Sequence, residues 1–165
     1  MIEYVNAAWN PFTGCKHTLL ECPTADKCWA RTMSGRFPQV CRGDFEPRFH
    51  PDRLDLPLHW KKPRRVAVSF MGDLFGDWNN GIDEWYDIQA ILGTVEECPQ
   101  HQFLFLTKRP ENLAQYSPWP VNAWVGISLT GAETPERQGA MLSALEAVKG
   151  AGVRWISYEP LLGSL

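Results

Sequence analysis

Four short apolar runs in the last two-thirds of the chain set the strongest limit on its fold: "RRVAVSF" (64–70), "HQFLFLT" (101–107), "NAWVGISL" (122–129) and "GVRWISYEP" (152–160). Each is rich in β-branched or aromatic residues and bounded by turn-forming or charged ones, the pattern of a buried strand. Between the first two, "DEWYDIQAILGTVEEC" repeats Trp85, Ile88, Leu92 and Val95 at helical spacing. Between the third and fourth, "TPERQGAMLSALEAVKGAG" offers Thr134 as helix N-cap, Pro135 at the first helical position, and Met141, Leu145 and Val148 on one face. "RPENLAQYSPWPV" is short and limited by its prolines to a turn or two of helix. Strands that alternate with helices imply βαβ units and parallel pairing, hence an α/β fold.

Such a chain can form an open doubly wound sheet or a (β/α) barrel. No Gly-rich phosphate loop follows any of the runs, which argues against a nucleotide-binding open sheet. A closed eight-unit barrel takes about 250 residues; with 165 the expectation is a partial (β/α) barrel, incomplete at its C-terminus. The chain reads as a single domain, residues 1–165, with a Cys-rich metal-binding loop and first helix over 1–43 and βα repeats over 44–165.

In parallel α/β folds the site forms at the carboxyl ends of the strands. Those ends are polar here: Ser69 and Asp73 after the first run, Thr107, Lys108 and Arg109 after the second, Ser128 and Thr130 at the third, Tyr158 and Glu159 at the fourth. The bland alternative for any one of them is a helix cap or loop charge. The basic run "KKPRR" (61–65) precedes its strand and belongs to the opposite face. In a chain of net charge -3 such a run is most simply a solvated surface, with contact to nucleic acid as the alternative.

No apolar run approaches the roughly 18 residues of a membrane span, and "MIEYVNAAWNPF" lacks the basic and apolar regions of a secretion signal, so a cytoplasmic protein with no membrane contact is expected. In that compartment a cysteine cluster points to metal or catalysis rather than disulfides. Of the five cysteines, Cys15, Cys22 and Cys28 share one short stretch, "GCKHTLLECPTADKCWA". Their spacing lacks the paired motifs of common zinc fingers. His17 or Cys41 would complete a structural zinc site; alternatively the three thiols hold a [4Fe-4S] cluster whose fourth iron stays open. Trp9 and Asn10 read as structural, and Cys98 as a core residue ending a helix.

Several segments together carry a family resemblance: "WNPFTGC" (9–15), "CWA" (28–30), "FHPDRLDLPLHWKKPRRVAVSFMGDLF" (49–75), "PQHQFLFLTKRPENL" (99–113), "VNAWVGISL" (121–129) and "RWISYEPLLG" (154–163). The sequence resembles a phage and bacterial family of three-Cys-motif proteins, distantly similar to the radical S-adenosylmethionine superfamily. The resemblance implies a [4Fe-4S] cluster on Cys15, Cys22 and Cys28, a partial barrel resembling a TIM barrel, and S-adenosylmethionine chelated to the open iron and cleaved to an adenosyl radical. It also implies that Ser69 and Asp73 meet the methionine end of the cosubstrate, that Lys108, Arg109, Ser128 and Glu159 face the rest of the cavity, and that Trp29 packs against the cluster. Two departures are visible: five residues, "PTADK", separate the second and third cysteines where the family has two, and Trp29 stands where it has Tyr. Family members continue beyond "SYEPLLG" into a further strand, so an exposed apolar sheet edge covered by a protein partner or a second copy is expected.

These readings give an enzyme of radical type on an unknown, nucleic-acid-related substrate, against two alternatives: a non-catalytic zinc-binding module, or a degenerate subunit completed by a partner.

Overall fold

The computed structural model describes residues 4–18, 22–41, 44–78, 82–159 and 162. Five parallel strands make the main sheet: β1 (Ala7–Trp9), then, after a short antiparallel pair β2 (Phe12–Thr13) and β3 (Arg48–Phe49), β4 (Arg65–Val68), β5 (Gln102–Thr107), β6 (Ala123–Leu129) and β7 (Val153–Tyr158). Each of the four predicted runs is a strand, trimmed by one or two residues at its ends. The helices are α1 (Trp29–Arg36), α2 (Pro38–Cys41), α3 (Ile82–Glu97) and α4 (Pro135–Glu146). Residues 109–121 hold only two single turns of 3-10 helix, as their prolines require.

Spatial order in the sheet is β1-β4-β5-β6-β7, the chain order with no reversal. A doubly wound sheet reverses direction at its switch point; a sheet that adds every strand on the same side, with right-handed crossovers, keeps its helices on one face. The fold is therefore the singly wound arc of a partial (β/α) barrel, open between β1 and β7.

The two faces separate by the period of two. Val66, Val68, Phe103, Phe105, Val125, Ile127 and Leu129 pack with Ile88, Ile91, Leu92 and Val95 of α3 and Met141 and Leu145 of α4 in the main core. The other face carries Ala67 and Leu104 with half-buried Phe70, Trp124 and Trp155, crossed by Tyr4 and Val5. Trp85 departs from the expected stripe: it is 43 % exposed, and Ile91 fills the inner face of α3 instead. Cys98 lies fully buried in the main core. Thr134 caps α4 as expected, its side chain accepting the Arg137 backbone N–H.

β7 is the outer strand. In register Ile156 pairs with Ile127 and Tyr158 with Leu129, so each points to the face that the helices cover elsewhere. Ile127 and Leu129 are fully buried, whereas Ile156 and Tyr158 are more than one-third exposed, because α4 is the last described helix over that face. This is the apolar edge expected from the sequence.

Candidate functional site

All five strands point the same way, so their carboxyl ends gather the loops after β1, β4, β5, β6 and β7. The loop after β1 is held there by direct backbone contact. Gly14 and Gly72 form an isolated parallel bridge: the Gly14 N–H donates to the Met71 carbonyl at 2.9 Å and the Asp73 N–H to the Gly14 carbonyl at 3.3 Å. Both positions demand glycine. A Cβ on Gly72 would stand 2.2 Å from the Gly14 carbonyl oxygen, and Gly14, at φ +92°, would place one 2.1 Å from the Glu46 carbonyl. Asn10 adds a second tie by accepting the Met71 N–H, the loop-satisfying role expected of it, while Trp9 is core and donates its indole N–H to the Arg53 carbonyl at 2.7 Å.

Cys15 follows the bridge directly. It and Cys28 pack against one small apolar cluster of Ala30, Cys41, Phe45 and Met71. Burial pushes the Cys15 thiol up to about 12, with the His17 backbone N–H acting in the opposite sense and Asp73, Cys28 and Cys22 close enough to add their repulsion. Cys22 is buried, its sulfur 3.5 Å from the Thr24 hydroxyl. Among the described residues no group of three or more His, Cys, Asp or Glu side chains converges tightly enough to hold a metal ion. Trp29, expected against a cluster, stands at the start of α1 with 61 % of its surface exposed.

Asp73 is the hub of the site. Its carboxylate is buried and accepts from His17 Nε2 at 2.9 Å, Thr107 Oγ1 at 2.7 Å, the Lys108 N–H at 2.9 Å and the Phe75 N–H at 3.1 Å. Burial alone would favour its neutral form; the His17 bond and charge, with the Lys108 and Thr107 bonds, outweigh burial and hold the carboxyl below its usual range. One side chain thus joins the Cys loop, β4 and β5. His17 sits edge-on to Trp78, ring centroids 4.9 Å apart, and Trp78 in turn donates to the Asp73 carbonyl at 2.6 Å.

From Asp73 a polar chain crosses the strand ends. Lys108 Nζ donates to the Ser128 hydroxyl at 3.0 Å, and that hydroxyl donates to the Glu159 carbonyl at 3.2 Å. The Glu159 carboxylate accepts from Ser157 at 2.6 Å and from the Tyr4 hydroxyl at 3.1 Å, on the face opposite the helices. Beside Lys108 and Ser128 lies a pocket of about 160 Å³, walled by Pro23 of the Cys loop and by Glu133, Thr134 and Arg137 at the start of α4. Glu133 turns its carboxylate onto the Thr130 and Gly131 N–H groups at 2.9 to 3.0 Å. Burial opposes its charge, but those bonds and the Thr130 hydroxyl prevail and lower its pKa.

Asp73, Lys108, Ser128 and Glu159 are therefore brought into one connected array beside the cysteine loop. Two other expected residues lie apart. Ser69, in a left-handed turn at φ +56°, is buried with its hydroxyl accepting the Phe12 N–H at 3.3 Å. Arg109 pairs with Asp77 and, at 3.4 Å, with Glu111, away from the Lys108 pocket. Both act on loop architecture. Glu133 and Arg137 escape a sequence reading, because their place in the wall follows from how α4 meets β6; the one local signal is the "TGAET" turn before Pro135.

A family model described as "Protein of unknown function (DUF5131)" matches residues 1–165. The chain belongs to that family. No curated protein and no solved structure matches it. Among the described residues no helix is long and apolar enough to cross a membrane.

Proposed function

We propose that the chain is a radical S-adenosylmethionine-type iron–sulfur protein, with Cys15, Cys22 and Cys28 as the ligands of a [4Fe-4S] cluster and the cosubstrate bound over the carboxyl ends of β5, β6 and β7. One observation carries the reading: the loop bearing all three thiols is pinned to the carboxyl-end face by the Gly14–Gly72 bridge, alongside the Lys108–Ser128–Glu159 array.

The three thiols fit a cluster with one open position. His17 donates from Nε2 to Asp73, a bond that metal-bound imidazoles also make, so it does not decide against zinc; Cys41 is fully buried among Phe45, Met71 and Ala30. A mononuclear ion needs its ligands on one point, whereas the thiolates of a cubane cluster each meet a different iron, so a loop whose sulfurs do not converge is compatible with the cluster. Held there and reduced by an external one-electron donor, such a cluster would supply the electron that reductive cleavage of a sulfonium cosubstrate requires.

The chain's own residues hold and orient. Lys108, anchored on Ser128, presents a cation in the pocket beside Pro23 and suits a carboxylate. Asp73 acts through His17 and Lys108, as a positioning residue rather than a ligand contact. Calorimetric titration of anaerobically reconstituted protein, its iron content verified, should show S-adenosylmethionine binding that weakens about tenfold in Lys108→Gln, as expected for losing one charge-assisted contact. Absence of heat from a sample with a full cluster would overturn the reading.

A further inference from the structure

The end of the sheet opposite the cysteines carries the run Lys61-Lys62-Pro63-Arg64-Arg65, immediately before and into β4. The backbone of its second half is anchored. The Arg64 N–H donates to His101 Nδ1 at 3.2 Å, the Arg65 N–H to Asn6 Oδ1 at 2.9 Å, and the Arg64 carbonyl accepts the Gln102 N–H at 2.8 Å. His101 also contacts the Pro57 carbonyl at 3.2 Å, tying in the single 3-10 turn Leu56–His59 ahead of the run.

The side chains behave differently from the backbone. Lys61, Lys62 and Arg65 are exposed and Arg64 is half-buried, and among the described residues none of the four makes an ion pair. Elsewhere on the chain Arg48, Arg109 and Arg137 pair with carboxylates, and Arg31, Arg53 and Arg154 donate to backbone carbonyls. Arg64 lies over the Trp60 ring at 5.0 Å from its centroid, and its Nε is buried without a hydrogen-bond partner. The nearest carboxylate in sequence, Asp55, is engaged by His59 at 3.3 Å. Four cations within five residues, in a chain of net charge -3, thus make no ion pair among the described residues.

We propose that this amino-end surface binds the phosphodiester backbone of nucleic acid, independently of base sequence. Residues 61–64 form neither helix nor strand, so no element is offered to a groove. The four cations lie within five consecutive residues, so one short stretch of a nucleic-acid strand can meet several of them. Trp60 is already covered by Arg64, which leaves charge rather than base stacking as the means of recognition. Bound this way, nucleic acid would tether the chain and leave the carboxyl-end mouth open; the inference does not depend on which cofactor the cysteines hold.

The test is fluorescence anisotropy of a labelled 20-nucleotide single-stranded DNA with the full chain. Four phosphate contacts give a slope of log affinity against log salt of about -2.8, hence a loss of about 50-fold between 50 and 200 mM salt. Lys61→Gln/Lys62→Gln should halve the slope, and Arg36→Gln, on exposed α1, should leave it unchanged. No binding at 50 mM salt, or binding that the double variant keeps undiminished, would overturn the proposal. So would sedimentation with phosphatidylserine vesicles by a protein that ignores the oligonucleotide.

Discussion

Asp73→Ala should cost about 3–5 kcal/mol of folding stability, the range for removing one partner of a buried pair, because four donors, three of them in buried bonds, lose their acceptor at once. Urea unfolding at pH 7 measures it. Asp73→Asn keeps the shape but brings an amide N–H group towards donors, so it should fall between Ala and the parent. The sign with pH follows from the direction of the shift. A carboxyl held lower in the folded chain than in the unfolded one adds stability that is complete above the unfolded value of about 3.9, and that is lost as pH falls through the lower folded value. The parent should therefore lose stability in that acid window with a component that Asp73→Asn lacks. An Asp73→Ala variant within 1 kcal/mol of the parent would show that the hub contributes little.

Gly72→Ala should be nearly as damaging. Its Cβ would meet backbone atoms of Gly14, at 2.2 Å from the oxygen and 2.7 Å from the nitrogen, where no rotamer change can relieve the overlap. Overpacking costs about 1–3 kcal/mol and occasionally more, and backbone against backbone belongs at the upper end, about 3 kcal/mol. The Gly14–Gly72 bridge carries Cys15 to the strand ends, so iron retention should fall along with stability. Gly139→Ala, where a Cβ meets nothing within 4 Å, is the matched control on α4.

What the sequence revealed and what it concealed divide by range of interaction. β4 to β7, α3 and α4 are legible because their apolar spacing is local, and the Thr134-Pro135 start of α4 is a local signal too. The three-residue β1 and the two-residue ladder of β2 with β3 have too few residues for any period. Trp85 breaks the expected pattern because helical spacing says which residues share a face but not how far the covered face extends. At the site, the strand-end rule finds Asp73, Lys108, Ser128 and Glu159. It cannot assign their roles: Asp73 meets His17 across 56 positions, and Ser128 meets the Glu159 carbonyl across 31.

The central claim is that the loop after β1 is an iron–sulfur ligand set. Iron and acid-labile sulfide should be measured on anaerobically reconstituted protein, beside the Cys22→Ala and Cys98→Ala variants. Cys22 belongs to the loop and Cys98 to the main core behind the sheet. The account predicts about four iron and four sulfide per chain, the content of one [4Fe-4S] cluster, in the parent and in Cys98→Ala, and loss of both from Cys22→Ala. One zinc per chain with no iron, or equal loss from the two variants, would contradict it.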